Sequence, residues 1–260
     1  MNEIDEFAPV TPWPLPRKED CVFYHYMTYP DGDTIDGAWD IRGMFNQYIG
    51  DYPIRGKTVL DVGTAGGFLA IEAERAGATV TAHDAFGGGE VERIPLGDSL
   101  YQLDRRTFVE QTDAWLKMLR NGFWYSWHRC GSNVEVVYAP IARLPFWERK
   151  FDVVIAGAII EHLSDPVAAI ANFAGLAKEA VVIAFTPVIA RRRQFMETAN
   201  DWSQPENPFT FWILSRGLYE RVFHNLGFDV EFKRAKARLN GRDYYRETII
   251  ARRRQRPGGN

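Results

Sequence analysis

Only two cysteines, Cys21 and Cys130, stand in the 260 residues. Neither sits in a Cys/His cluster with metal-like spacing, so no metal site is expected. A small secreted scaffold would carry more cysteine, which makes a reducing, cytoplasmic setting the expectation. Surplus positive charge is missing too: 31 Lys and Arg face 34 Asp and Glu, for a formal net charge of -3. The molecule as a whole has no pull toward a polyanion, so a nucleic-acid partner is not expected. No apolar run is long enough to span a bilayer, and no membrane partner is expected. The first residues, MNEIDEFAPVTPWPLPRKED, lack a basic segment leading into an apolar one and do not read as a secretory signal.

Apolar residues make up 46% of the chain and aromatics 14%, ample for a large core. Residues 1–50 read as an N-terminal arm and aromatic cover. They include a turn at Pro30-Asp31-Gly32 and a short helix over 40–50 that Asp40 can cap. Residues 51–260 read as the main domain, with insertions at about 85–130 and 188–214. The main-domain pattern predicts five strands of a parallel sheet, at 58–61, 78–84, 134–140, 151–158 and 180–187. Helices are predicted over 68–76, 107–120, 166–177 and 215–225. The chain then closes in a hairpin, 228–239 and 244–253, turned at Asn240-Gly241-Arg242-Asp243. A parallel sheet that ends this way must hold an antiparallel member. The fold class is therefore α/β and Rossmann-like.

The most informative stretch is 58-TVLDVGTAGGF-68, followed by 77-GATVTAHD-84. Asp61 ends a strand and can accept hydrogen bonds from amides of the turn behind it. Gly63 permits a backbone closed to other residues, and Gly66 and Gly67 let the chain pass close to a ligand as the helix begins. The dinucleotide pattern G-x-G-x-x-G lacks its second glycine here, and no Gly-Lys-Ser/Thr of a P-loop follows. Asp84 closes the second strand, where a carboxylate can take both hydroxyls of an adenosine ribose.

These features, 61-DVGTAGG-67, the strand-ending Asp84 and the late hairpin, resemble those of class I S-adenosylmethionine-dependent methyltransferases. The resemblance covers roughly residues 55–253. It implies S-adenosyl-L-methionine as the cofactor, bound along Asp61, Gly63, Thr64, Ala65, Gly66, Phe68, Asp84 and Ala85, with Gly157 at the end of strand four. A narrower likeness, in YPDGDTIDGAWDIR, NGFWYSWHRCGS and FDVVIAGAIIEHLSDP, is to a bacterial subgroup related to tRNA wobble-uridine carboxymethyl-transfer proteins. That likeness implies contacts from Trp124 and His128 with the methionine end of the cofactor or with the acceptor. The family pattern is broken after strand three, where an acid usually meets the adenine amino group. Ala139 and Pro140 stand there instead, and backbone groups near Ala139 and Ile141 are expected to hold the base.

Methyl transfer is a one-step displacement that needs alignment and, for oxygen or nitrogen acceptors, a base. His162, in the loop after strand four, is the first base candidate, and His25 and His128 are the others. Equally, His162 can pack structurally against the helix that follows, with Glu161 orienting it or capping that helix. Aromatic density suggests an acceptor pocket lined by Tyr24, Tyr29, Trp39 and Trp212, with Trp202 and Phe209 nearby in sequence. Packing of the arm and insertions onto the domain is the plainer account of most of these rings. Arg191, first of three arginines after strand five, can fix an acidic substrate group or lie solvated. The expected acceptor is a small metabolite, natural product or sugar intermediate. The rivals are an RNA nucleoside, reached along Arg191–Arg193 and Arg252–Arg254 with Arg256; a dinucleotide oxidoreductase; and a silent binding protein. A homodimer, with the aromatic arm covering a partner's site, is equally compatible with the sequence.

Overall fold

The computed structural model describes residues 6–92, 94, 104–199 and 210–255. The arm holds β1 (Met27–Thr28), β2 (Thr34–Ile35), β3 (Trp39–Asp40) and the one-turn helix α1 (Phe45–Tyr48). Next come β4 (Thr58–Val62), α2 (Phe68–Arg75), β5 (Thr79–Asp84), α3 (Arg105–Cys130) and β6 (Glu135–Tyr138). They are followed by β7 (Phe151–Gly157), α4 (Pro166–Leu176), β8 (Ala177–Thr186), β9 (Val188–Ile189), β10 (Met196–Thr198) and β11 (Trp212–Ser215). The chain closes with α5 (Arg216–Asn225), β12 (Phe228–Leu239) and β13 (Arg242–Arg253).

The main sheet runs β3-β12-β13-β8-β7-β4-β5-β6. β4 through β8 pair in parallel, while β13 inserts antiparallel between β8 and β12. Its hairpin turns on Asn240 and Gly241, both with positive φ (49° and 76°), the geometry that matches strand twist. β7 and β8 read as unbroken apolar runs because both faces are covered. Val59, Val80, Ile155 and Val182 pack under α2, α3 and the arm. Leu60, Val62, Val154 and Ile183 pack under α4 and α5. The predicted class I methyltransferase sheet, with five parallel strands and an antiparallel hairpin strand, is present.

Three local expectations are corrected. No helix covers 40–50: residues 39–40 are a strand, and only Phe45–Tyr48 is helical. Asp40 binds the Arg42 side chain (2.9 Å to both nitrogens) instead of capping. β3 zips onto the tip of β12, so the cover is an edge of the sheet itself. The helix predicted to stop at 120 runs on to Cys130, through the aromatic stretch 121–128. It is capped by Asp104 at one end and by left-handed Gly131 at the other. The insertion at 188–214 carries a small sheet, ordered β10-β11-β9. Trp202, Phe209 and Arg256 lie outside the described residues.

Candidate cofactor and acceptor site

The ligand edge of a parallel sheet is where its strands end, and here β4 and β5 end side by side, with Asp61 paired to Ala82 and Val62 to His83. The bend after β4 holds three positive φ angles, at Gly63 (73°), Ala65 (49°) and Gly67 (82°). A Cβ on Gly63 would overlap the Ile159 side chain, and one on Gly67 would lie 2.6 Å from the Phe123 ring. At Gly66 it would meet only ordinary contacts, the nearest being the Tyr24 amide nitrogen at 3.6 Å. Gly63 and Gly67 are thus the demanding positions, while the Tyr24 backbone passes over Gly66.

The two carboxylates differ in the protein donors they already accept. Asp84 Oδ2 accepts the Ala65 amide (2.7 Å), and its Oδ1 accepts the Ala85 amide (2.8 Å), so the second acid shapes the bend. Asp61 is 1% exposed; its Oδ2 accepts the Thr64 hydroxyl (2.8 Å), and its Oδ1 is buried with no partner. A buried acceptor without a donor is costly to leave unmet, and it is a natural seat for an ammonium or amide of a ligand. Burial pushes Asp61 up to about 7, helped by the charge of Asp84, against the Thr64 hydrogen bond. Burial likewise pushes Asp84 up to about 6, against the Ala65 and Ala85 amides and the Arg120 charge.

Beyond Asp84, toward β6, the wall is aromatic. Tyr138 pairs with Asp84 at the strand end, and Phe86 meets it edge-on at 5.8 Å. The Arg120 guanidinium, from α3, lies 4.5 Å over Phe86 and donates to the Phe86 carbonyl, while its Nε is buried without a partner. The Ala139 amide, expected to meet adenine, already donates to the Asp84 carbonyl (3.1 Å); Ile141 opens the turn beyond it, partly buried. Trp124 is 1% exposed and stacks with Trp13 at 6.0 Å, inside the core between α3 and the arm.

On the other side of the bend lies a second group. Gly157 ends β7, and a Cβ there would lie 3.7 Å from the Tyr48 ring. Buried Glu161 receives Arg246 Nη1 on Oε1 (2.9 Å) and the Thr186 hydroxyl on Oε2 (3.1 Å). It does not cap α4, whose cap is Asp165 accepting from the Ala168 amide. Glu161 and Arg246 both act electrostatically on Tyr24 and on Tyr48, so these four side chains share one region. Burial raises both phenols, which stay protonated at neutral pH. His162 ends the single turn Ile160–His162 at the same edge, half-buried.

The remaining candidates scatter. Phe68 starts α2 and packs against His25, whose Nδ1 is buried and unpartnered; burial lowers that imidazole to about 4, so it is neutral at physiological pH. His128 lies in the last turn of α3, its Nε2 bonded to the Trp13 carbonyl (2.7 Å), which ties the arm to α3. Tyr29 is 2% exposed, bonded to Ser126 (3.2 Å) beneath the Arg129 guanidinium, with its phenol raised to about 12; it belongs to the core. Trp39 stays at the ligand edge, 5.7 Å from both Phe185 and Tyr244. The Trp212 indole donates to the Ser164 carbonyl (3.1 Å) and ties β11 to the loop after β7. Arg191, Arg192 and Arg193 are exposed beyond the end of β8, whereas Arg252 pairs with Ala180 near its start. The two basic clusters thus stand at opposite edges of the sheet. Among the described residues, no metal-holding cluster occurs and no helix is long and apolar enough to cross a membrane.

A family model described as a methyltransferase domain matches residues 44–232. The chain belongs to this methyltransferase family. It is an S-adenosylmethionine-dependent methyltransferase with the class I fold. No curated protein matches it. Among solved structures, magnesium protoporphyrin IX methyltransferase from Synechocystis PCC 6803 with bound SAH is similar, at 16% identity over 82% of each chain and a TM-score of 0.51. A 1,6-didemethyltoxoflavin-N1-methyltransferase from Burkholderia thailandensis is 14% identical over 82% of this chain and 76% of its own, with a TM-score of 0.46.

The methyltransferase's raised acids give it a definite pH response. Asp61 and Asp84 hold protons in the folded chain up to about 7 and about 6, against 3.8 for a free Asp. Between those values the folded state binds more protons than the unfolded one, so stability falls as pH rises from 3.8 to about 7. A ligand that offers donors to the ionised acids favours their deprotonation, so its binding releases protons and tightens with rising pH. Calorimetry with S-adenosylhomocysteine, in buffers of different ionisation enthalpy, should show this between about pH 5 and about pH 8. A flat affinity and no proton release would remove both acids from the cofactor site.

Proposed function

We propose that this methyltransferase transfers the methyl group of S-adenosylmethionine to an oxygen or nitrogen of a small metabolite, natural product or sugar intermediate. The observation that carries the reading is the open acceptor Asp61 Oδ1 beside Asp84, with Tyr24, Tyr48, Glu161 and Arg246 grouped on the methyl side. The cofactor supplies a sulfonium-bound methyl group and a neutral leaving group. Asp61 holds the methionyl ammonium through Oδ1. Gly63, Thr64, Ala65 and Gly66 let the backbone approach it, with Phe68 and Gly157 behind. Asp84 and Ala85 receive the ribose, and Ile141, Phe86 and Tyr138 flank the base. Tyr24 and Trp39, on the arm, close the acceptor side against water and suit a cation with their ring faces.

His162 takes the acceptor's proton in this reading, from its place at the end of the turn Ile160–His162 after β7. Substituting alanine should lower kcat roughly 100-fold while leaving the Kd for S-adenosylhomocysteine nearly unchanged. Turnover that survives the change would make the residue structural. Modification of an RNA nucleoside, toward which the subgroup likeness leans, needs a continuous basic path. The placement of Arg191–Arg193 and Arg252–Arg254 at opposite edges favours a small acceptor. Labelled methyl transfer to metabolite pools and to bulk RNA separates the two: label confined to RNA overturns the small-acceptor reading. A cytoplasmic setting is part of this proposal, consistent with two free cysteines.

A further inference from the structure

The long hairpin overshoots the sheet. Thr186, the last residue of β8, pairs with Glu247, so residues 242–246 of β13 project past the ligand edge. Strand alternation puts Arg246 on the same face as Thr248, whose hydroxyl donates to the Tyr48 carbonyl (2.7 Å), and therefore toward the cover. One N–H of Arg246 is fixed by Glu161 at 2.9 Å. That carboxylate is 2% exposed and has its other oxygen engaged by Thr186. Among the described residues, Arg246 makes no second hydrogen bond, and its side chain remains 33% exposed. Among the described residues, the guanidinium is hydrogen-bonded at one corner only.

The walls around that fork are rings. Phe185 lies 5.3 Å from the guanidinium, Trp39 stands between Phe185 and Tyr244, and Tyr48 stacks on Phe185 at 5.3 Å. At the far end, the Tyr24 backbone covers Gly66 of the cofactor bend, and the Tyr48 ring neighbours Gly157. Tyr24, Trp39 and Phe185 thus form a packed line of contacts between the cofactor bend and the guanidinium.

We propose that Arg246 binds the carboxylate of the methyl acceptor, and that the acceptor is a small aromatic carboxylic acid carrying its nucleophile at the end away from the acid group. A guanidinium fork matches the two oxygens of a carboxylate, and fixing one corner leaves it pre-organised. The Glu161–Arg246 pair is neutral as a whole, and among the described residues Asp61 also acts on Tyr48 in this region. Beside two carboxylates and a single cation, a dianionic phosphate is repelled more strongly than a monoanion, which can share the guanidinium with Glu161. The ring of Trp39, only partly buried, favours a flat acceptor over a sugar. A carboxylate seated on Arg246 directs the opposite end of such a ring toward Tyr24 and the bend. Glu161 is then a positioning residue, holding the guanidinium in place.

The proposal rests on the small-acceptor methyltransferase reading, and its test separates the two. The protein is saturated with S-adenosylhomocysteine and titrated calorimetrically with 4-hydroxybenzoate, with its neutral match 4-hydroxybenzamide, and with phenyl phosphate. The carboxylate should bind at least roughly tenfold more tightly than the amide or the phosphate. Arg246→Gln should bring the carboxylate down to the level of the amide while S-adenosylhomocysteine affinity stays within about twofold. Arg246→Lys, which keeps the charge and the pairing with Glu161, should recover part of the preference and shows that the fold is intact. Equal binding of carboxylate and amide, no carboxylate binding, or an equal loss of both ligands in Arg246→Gln overturns the proposal. Preference for the phosphate overturns the monoanion assignment. Failure of the wild type to bind S-adenosylhomocysteine would instead strike the cofactor reading.

Discussion

Asp84→Ala is expected to weaken S-adenosylhomocysteine binding by roughly 100-fold, about 3 kcal/mol for two hydrogen bonds to a charged acceptor. The carboxylate acts twice. In the proposed site its oxygens take the ribose hydroxyls, and they also receive the Ala65 and Ala85 amides at 2.7 and 2.8 Å. Ala65 holds a positive φ of 49°, a conformation that a non-glycine residue keeps only when its neighbours enforce it. Removing Asp84 therefore loosens the bend as well as the ribose seat. Asp84→Asn retains one oxygen for an amide but loses the charge, and should fall between alanine and wild type. Calorimetry gives the affinities, and far-UV circular dichroism checks that the fold persists. Equal affinity in all three proteins would place the ribose elsewhere.

Gly63→Val should lower stability by about 3 kcal/mol and abolish measurable cofactor binding. The left-handed backbone there (φ 73°) is poor for any β-branched residue. The new Cβ would also overlap the Ile159 side chain, and overpacking of this kind costs about 1–3 kcal/mol. Gly66→Ala is the contrasting control, since its Cβ meets only ordinary contacts and its φ is not in the left-handed region. Chemical denaturation measures both. A Gly66 variant that loses as much stability as the Gly63 variant would show that the bend tolerates neither, contrary to its geometry.

Much of the cofactor half was legible in the chain. Strand, glycine bend, helix and strand occur within 58–84, close enough that local propensity and turn chemistry fix them, and the structure reproduces them within a residue or two. The hairpin was legible for the same reason, with Asn240-Gly241 at its tip. The acceptor half was not. Tyr48, Arg246 and Arg120 carry no motif, and each gains meaning only from partners far along the chain: Glu161 for Arg246, Phe86 and Asp84 for Arg120. His128 and Tyr29 misled because sequence shows residue type but not direction, and both point into packing between α3 and the arm.

By itself, then, the sequence determined the class of sheet, the bend, the two acids and the family they imply, since these depend on neighbours a few residues apart. Tertiary structure decided which acid shapes the bend and which keeps an open oxygen. It also turned the aromatic cover into an edge strand and brought Glu161, Arg246, Tyr24 and Tyr48 to one place. Strand pairing and burial join residues separated by tens to hundreds of positions, and no local pattern records which side chains will meet when the sheet closes.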